Sequence, residues 1–125
     1  MSFFKRDEGK RGEDIACDYL KKQGYKIIDR NFRIRGGEID IIALDSSAGS
    51  GQVLVFIEVK TRRSHEFGSP LEAITYWKMK ALIKTAEFYK VQHPHLPESM
   101  RIDALGIILD SENNLASVEL VKNIS

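Results

Sequence analysis

A single cysteine, Cys17, stands among the 125 residues. It excludes an intrachain disulfide and a cysteine-rich zinc framework, and it suits a reducing compartment. No apolar run approaches the ~20 residues of a membrane span. The opening Met1-Ser2-Phe3-Phe4-Lys5-Arg6-Asp7-Glu8 lacks the apolar centre of a secretion signal. These absences lead to the expectation of a cytoplasmic protein with no membrane partner. An excess of one charge is also missing. The net charge is +1, so bulk basicity gives no argument for a polyanion, and any such site must come from local clustering. There is no repeat and no low-complexity segment, and Ser46 to Gly51 reads as a flexible connection. With 42% hydrophobic residues, the chain fits one domain, residues 1–125, around a single core.

What is present centres on two runs, Gly36-Gly37-Glu38-Ile39-Asp40-Ile41-Ile42-Ala43 and Val53-Leu54-Val55-Phe56-Ile57-Glu58-Val59-Lys60-Thr61-Arg62. Their β-branched and aliphatic content, bounded by turn residues, predicts a hairpin with a long loop. Alternation puts Ile39, Ile41 and Ala43 on one face, with Glu38, Asp40 and Ile42 on the other. In the second run Val55, Ile57 and Val59 oppose Phe56, Glu58 and Lys60. Carboxylates inside strands this apolar are costly unless a cation or hydrogen bonds compensate. Two of them on neighbouring strands can share a divalent cation, with a lysine beside it to meet a phosphate or an attacking water. The plainer alternative is a solvated network of acids and lysines.

The same residues match the Asp…(Asp/Glu)-x-Lys pattern of the PD-(D/E)XK nucleases. Gly12-Glu13, Gly24-Tyr25, Arg30-Asn31-Phe32-Arg33, Gly37-Glu38-Ile39-Asp40 and Phe56-Ile57-Glu58-Val59-Lys60-Thr61-Arg62 together resemble the bacterial YraN family. Gly68-Ser69-Pro70 and Arg101-Ile102-Asp103 extend the resemblance over nearly the full length. It implies a restriction-endonuclease-like α/β (α+β) fold and an endonuclease-related or nucleic-acid-binding activity. On that basis Asp40 and Glu58 are expected to ligate Mg²⁺ or Mn²⁺, with the Val59 carbonyl completing the set. Lys60 is expected to orient the attacking water, and Glu13 to hold a metal-bound water. Glu38 is a weaker candidate, with an ion pair to Arg33 or Arg35 as its alternative.

In chain order, residues from about Arg6 to Gln23 read as a helix with an apolar stripe of Ile15, Ala16, Tyr19 and Leu20, ended by Gly24. Glu13 lies on the border of that stripe. Tyr25 to Ile34 reads as a strand whose Arg33, followed by Arg35, offers a basic face to phosphates. After Lys60, Arg62 and Arg63 are further phosphate contacts, Phe67 a stacking residue and His65 a remote candidate proton donor. Ser69-Pro70-Leu71-Glu72 predicts the start of a helix running to about Gln92. Its expected buried stripe is Leu71, Ile74, Trp77, Ala81, Leu82, Phe88 and Tyr89. Lys78 falls within that stripe and is expected beside the site, binding phosphate. Arg101 to Leu109 predicts a strand parallel to the Glu58 strand by a right-handed crossover. Asp103 on it is expected in an ion pair, and Leu115 to Val121 forms a last antiparallel strand. The expected order is α-β-β-β-α-β-β.

The reading is a metal-dependent endonuclease acting on nucleic acid, DNA ahead of RNA. A homodimer would supply two centres if both strands are cut. The rivals are an inactive DNA- or RNA-binding adaptor of the same fold and a protein-interaction domain.

Overall fold

The computed structural model describes residues 2–47, 51–63 and 68–125, with the side chains of residues 2–8 outside the described part. His65 and Phe67, and the side chains of Lys5 and Arg6, lie outside the described residues. Helix α1 spans Ser2–Lys22, followed by β1 (Tyr25–Ile34), β2 (Gly37–Asp45) and β3 (Val53–Arg62). A short 3₁₀ turn (Pro70–Ala73) leads into α2 (Tyr76–Gln92), then β4 (Met100–Leu109) and β5 (Leu115–Val121). The order is the expected α-β-β-β-α-β-β. The five strands lie in sequence order in one sheet. β3 and β4 are parallel and the other neighbours antiparallel, as a crossover through α2 requires. Among the described residues no helix is long and apolar enough to cross a membrane.

Each face of the sheet carries one helix. On one side Ala16, Cys17 and Leu20 of α1 pack against Ile41, Ala43, Val55, Ile57, Leu105 and Ile107. On the other, Leu82, Ala86 and Tyr89 of α2 pack against Ile39, Ile42, Leu44, Leu54 and Phe56. The apolar strands are therefore covered on both faces, which is why their central residues read as nearly continuous hydrophobic runs.

Two expectations need correction. Ile39 and Ile41 do not share a face: Ile39 belongs to the α2 side and Ile41 to the α1 side. The β2–β3 ladder runs from Asp45↔Val53 to Ile41↔Ile57 and goes no further, while β2 stays paired with β1 down to Gly37. The β1–β2 hairpin thus peels away from β3 at Asp40 and leans on α2. Gly37 makes this possible, because a side chain there would collide with Thr85 and the Ala81 carbonyl.

The second correction concerns the second helix. It does not run unbroken from Pro70. Ser69 caps the 3₁₀ turn, accepting from the Leu71 N–H, and Thr75 then caps α2 afresh, accepting from the Lys78 N–H at 3.1 Å. The buried face is Leu82, Thr85, Ala86 and Tyr89. Trp77 and Phe88, expected inside, are 75% and 45% exposed. Trp77 and Lys78 compete for the inward slot on the first turn, and Lys78 holds it because a buried carboxylate lies beneath. The cost of an unmatched buried charge offsets that of an exposed indole.

A candidate metal and phosphodiester site

The site forms where β2 leaves β3. Had the ladder continued, Ile39 would have met the Val59 backbone. Instead the Asp40 carboxylate takes the Val59 N–H, with Oδ2 accepting at 2.7 Å. N–H and C=O of one residue point to the same side of an extended strand. The Val59 carbonyl therefore faces the same gap as Asp40. One departure of the chain from regular pairing brings a carboxylate and a backbone acceptor to one place.

Glu58 projects from the α2 face of β3 and is 2% exposed. Its Oε2 is 3.4 Å from Lys60 Nζ and 3.3 Å from Lys78 Nζ. Among the described residues its Oε1 is buried with no donor other than a protonated Asp40, whose carboxyl hydrogen-bonds to Glu58. Such an oxygen left without a donor is rare in folded proteins and costs on the order of 1–3 kcal/mol or more for a charged group. Asp40 is partly buried beside it. Burial first, and then the Glu58 carboxylate, push the Asp40 carboxyl up to about 8, against the pull of the Val59 N–H. Two acids this close resist ionising together, even with Lys60 and Lys78 beside Glu58.

Asp40, Val59 and Lys60 line a cleft of about 520 Å³ together with Gly9, Glu13, Thr61, Arg62 and Ala73. The α1 wall comes close because residue 12 is glycine: a side chain there would overlap that of Thr61 on β3. That close approach sets Glu13 at the cleft. The Glu13 Oε1 accepts from Arg30 Nη2 at 3.1 Å and from Asn31 Nδ2 at 3.0 Å, and Arg30 also holds Asp14 at 2.9 Å. Sequence reasoning missed Arg30 and Asn31 as partners of Glu13. The available signal was an asparagine inside a strand, and Asn31 indeed has a left-handed φ of 54°.

The structure thus brings Asp40, Glu58, Val59, Lys60 and Lys78 together, with Glu13 and Arg62 on the cleft wall. Arg33 lines an adjoining cavity with Glu13, Asp14, Arg30 and Asn31. Arg33 is exposed and pairs with Glu38 at 2.8 Å, the alternative foreseen for Glu38, and Arg35 sits exposed in the β1–β2 turn. Arg63 is exposed just beyond β3. Asp103 is in an ion pair, as expected. Arg101 Nε meets its Oδ1 at 2.8 Å, and the Tyr25 hydroxyl donates to its Oδ2 at 2.9 Å.

The family model of the uncharacterised protein family UPF0102 matches residues 12–107. The chain belongs to that family. The matched span holds every residue of the site just described except Gly9. The relatives are bacterial. A UPF0102 protein of Clostridium botulinum strain Hall is 46% identical over 124 residues, covering 98% of this chain and 97% of the relative. One from Caldicellulosiruptor saccharolyticus is 43% identical over 120 residues, covering 95% and 97%. The likeness to these UPF0102 proteins therefore runs end to end, and it carries a family name without an activity.

Among the described residues no group of three or more histidine, cysteine or acidic side chains is gathered as a ready metal cage. The donor set for a cation is two carboxylates and a backbone oxygen. Such a set suits Mg²⁺ or Mn²⁺, hard ions that keep several waters and take one or two carboxylates plus substrate oxygens.

Proposed function

We propose that this protein is a divalent-metal-dependent endonuclease of the PD-(D/E)XK type, hydrolysing phosphodiester bonds in nucleic acid, DNA ahead of RNA. The observation that carries the reading is the buried Glu58 carboxylate against the raised Asp40 carboxyl, with Lys60 and Lys78 beside it, at the point where β2 leaves β3. Asp40, Glu58 and the Val59 carbonyl would hold Mg²⁺ or Mn²⁺. When bound, the ion supplies charge neutralisation at the phosphate and an acidified water. The chain's own groups do the rest. Lys60 stands in the cleft with its ammonium near Glu58 and can orient a water toward an incoming phosphate and stabilise charge on it. Lys78 reaches the same carboxylate from α2 and can pass to a phosphate oxygen. Glu13, fixed by Arg30 and Asn31, can hold a water across the cleft from Lys60. Arg62 lines the cleft as a further phosphate contact, with exposed Arg63 after it.

One observation favours a second reading. Lys60 and Lys78 both bear on Glu58 Oε2, and two ammonium groups can stand in for a cation. An adaptor that binds nucleic acid without cutting it would be built this way.

Calorimetric titration of Mn²⁺ separates the two readings. The nuclease reading expects binding that is lost in Asp40→Asn and in Glu58→Gln, followed by cleavage in a screen of flapped, branched and single-stranded substrates. If native protein takes up no Mn²⁺ with or without an oligonucleotide to complete the shell, the adaptor reading replaces it.

A further inference from the structure

The first turn of α2 carries two aromatic side chains that do nothing for the core. Tyr76 is 65% exposed and Trp77 is 75% exposed. They lie edge to face, with ring centroids 5.3 Å apart at 74°. Lys80 Nζ sits 5.0 Å from the centre of the Tyr76 ring and 6.0 Å from that of Trp77. Rings this large are usually buried, and an exposed pair held by a neighbouring cation makes a pre-ordered apolar shelf.

The shelf's surroundings are positive. From Ala73 to Ala86 the chain has Lys78, Lys80 and Lys84 and no acidic residue. The first turn of α2 also has no acid to offset the positive end of the helix dipole. On the same turn Lys78 faces inward and reaches Glu58 at 3.3 Å. Trp77 is its immediate neighbour in the chain, with Cα atoms about 3.8 Å apart. One turn of helix thus presents its lysine to the candidate site and its rings to solvent beyond it.

An apolar shelf fringed by cations, next in the chain to a lysine that reaches the candidate site, matches a polyanion that also carries flat apolar faces. A protein partner fits less well, since nothing on this turn offers the mixed-sign or acid-recognising pattern of a protein interface. We propose that Tyr76 and Trp77 form a stacking platform for an unpaired base of a nucleic-acid strand whose backbone runs past Lys78 into the cleft. The proposal rests on the reading of the site given above and narrows its substrate: strands with an accessible base, such as single strands, flaps and junctions, are preferred over regular duplex. Stacking on aromatic side chains is tolerant of sequence and needs the base out of the helix.

Trp77 is the only tryptophan in the chain, so its emission reports on the shelf alone. The experiment titrates native protein in EDTA, which prevents cleavage, with a labelled 20-residue oligothymidylate and with a duplex of equal length. Anisotropy gives affinity, and tryptophan emission reports on stacking. The proposal expects the single strand to quench Trp77. It also expects the Tyr76→Ala/Trp77→Ala double variant to bind that strand about tenfold or more weakly. The variant's salt dependence should be unchanged, because the phosphate contacts remain, and its duplex affinity should shift less than twofold. Trp77→Phe, which keeps a ring, retains most of the affinity. Both rings are exposed, so the variants fold, and their melting curves verify this.

Three results overturn the proposal. Oligothymidylate that binds with Trp77 emission and the double variant's affinity unchanged removes the platform and leaves the nucleic-acid reading standing. Absence of salt-dependent binding to either probe removes that reading and the platform with it. Emission that follows protein concentration and ignores the oligonucleotide assigns the shelf to a second copy of the chain.

Discussion

Replacing Asp40 by asparagine in metal-free protein tests the core of the site without any substrate. The Asp40 carboxyl is raised to about 8, mainly by burial and then by Glu58, from an unfolded value near 3.9. A raised acid binds more protons folded than unfolded. Between pH ~4 and ~8 the unfolded state gives up the proton while the folded state keeps it, so folding stability falls as pH rises through that window and then levels off. At 1.36 kcal/mol per pH unit the loss by pH 8 is at most about 5 kcal/mol. Lys60, Lys78 and water in the open cleft screen the pair, so 1–3 kcal/mol is the working expectation. Asparagine is nearly isosteric, can still accept from the Val59 N–H and can donate to Glu58. Asp40→Asn should therefore be near neutral at pH 5 and about 1–3 kcal/mol more stable than native protein at pH 9. Urea unfolding in EDTA at both values measures the difference, in which other titrating groups cancel. Mn²⁺ should then recover the native protein, by about 2.7 kcal/mol at a hundredfold excess over its dissociation constant. A variant whose stability relative to native protein is no higher at pH 9 than at pH 5 would refute the like-charge picture of the site.

Other outcomes follow from the same geometry. Asp40→Ala and Lys60→Ala should each abolish cleavage while the fold persists, and full activity in either would remove its assigned role. Gly12→Val should cost on the order of 1–3 kcal/mol, since any side chain there meets Thr61; a denaturant midpoint matching the native one would mean α1 can shift away from β3. Asp45 behaves in the opposite sense to Asp40. Burial alone would raise it, but hydrogen bonds from Ser47 and Arg101 outweigh burial and hold it at about 2. Its stabilising contribution, about 2 kcal/mol, is present above pH ~4 and lost as pH falls through about 2. Asp45→Asn should flatten acid unfolding in that range, as read by circular dichroism.

Much of the fold was legible because the determinants are local. Apolar runs bounded by Gly36-Gly37 and by Asp45 to Gly51 mark the strands, and the helix between β3 and β4 forces them parallel. The acid–acid–lysine set was legible for a different reason: charges inside such runs violate the pattern, and violations need a cause. What could not be read was where regular pairing stops. No residue type announces that β2 leaves β3 at Asp40. The departure follows from the β1–β2 hairpin leaning on α2 through Gly37, which is a contact between segments over forty residues apart. The Asp45–Arg101–Asp103–Tyr25 network is hidden for the same reason, since four residues spread over the chain meet only in the folded sheet.

The exchange of Trp77 and Lys78 shows how that hidden geometry reaches the helix. Periodicity on α2 favours the indole inside, because burying it is worth a few kcal/mol. Turning Lys78 inward leaves that gain unrealised, so the charge beneath is expected to offset it. Glu58 is almost wholly buried, and Lys78 supplies one of its two cationic neighbours. Removing one partner from a fully buried pair costs about 3–5 kcal/mol; with Lys78 36% exposed and Lys60 remaining at Glu58 the cost here is smaller and comparable to the value of the buried ring. Lys78→Leu should then be destabilising in Glu58-containing protein and tolerated in a Glu58→Gln background. The double-mutant cycle measures the coupling. A coupling near zero would mean that Lys78 faces inward for some other reason, and that the exposure of Trp77 is not a consequence of the site.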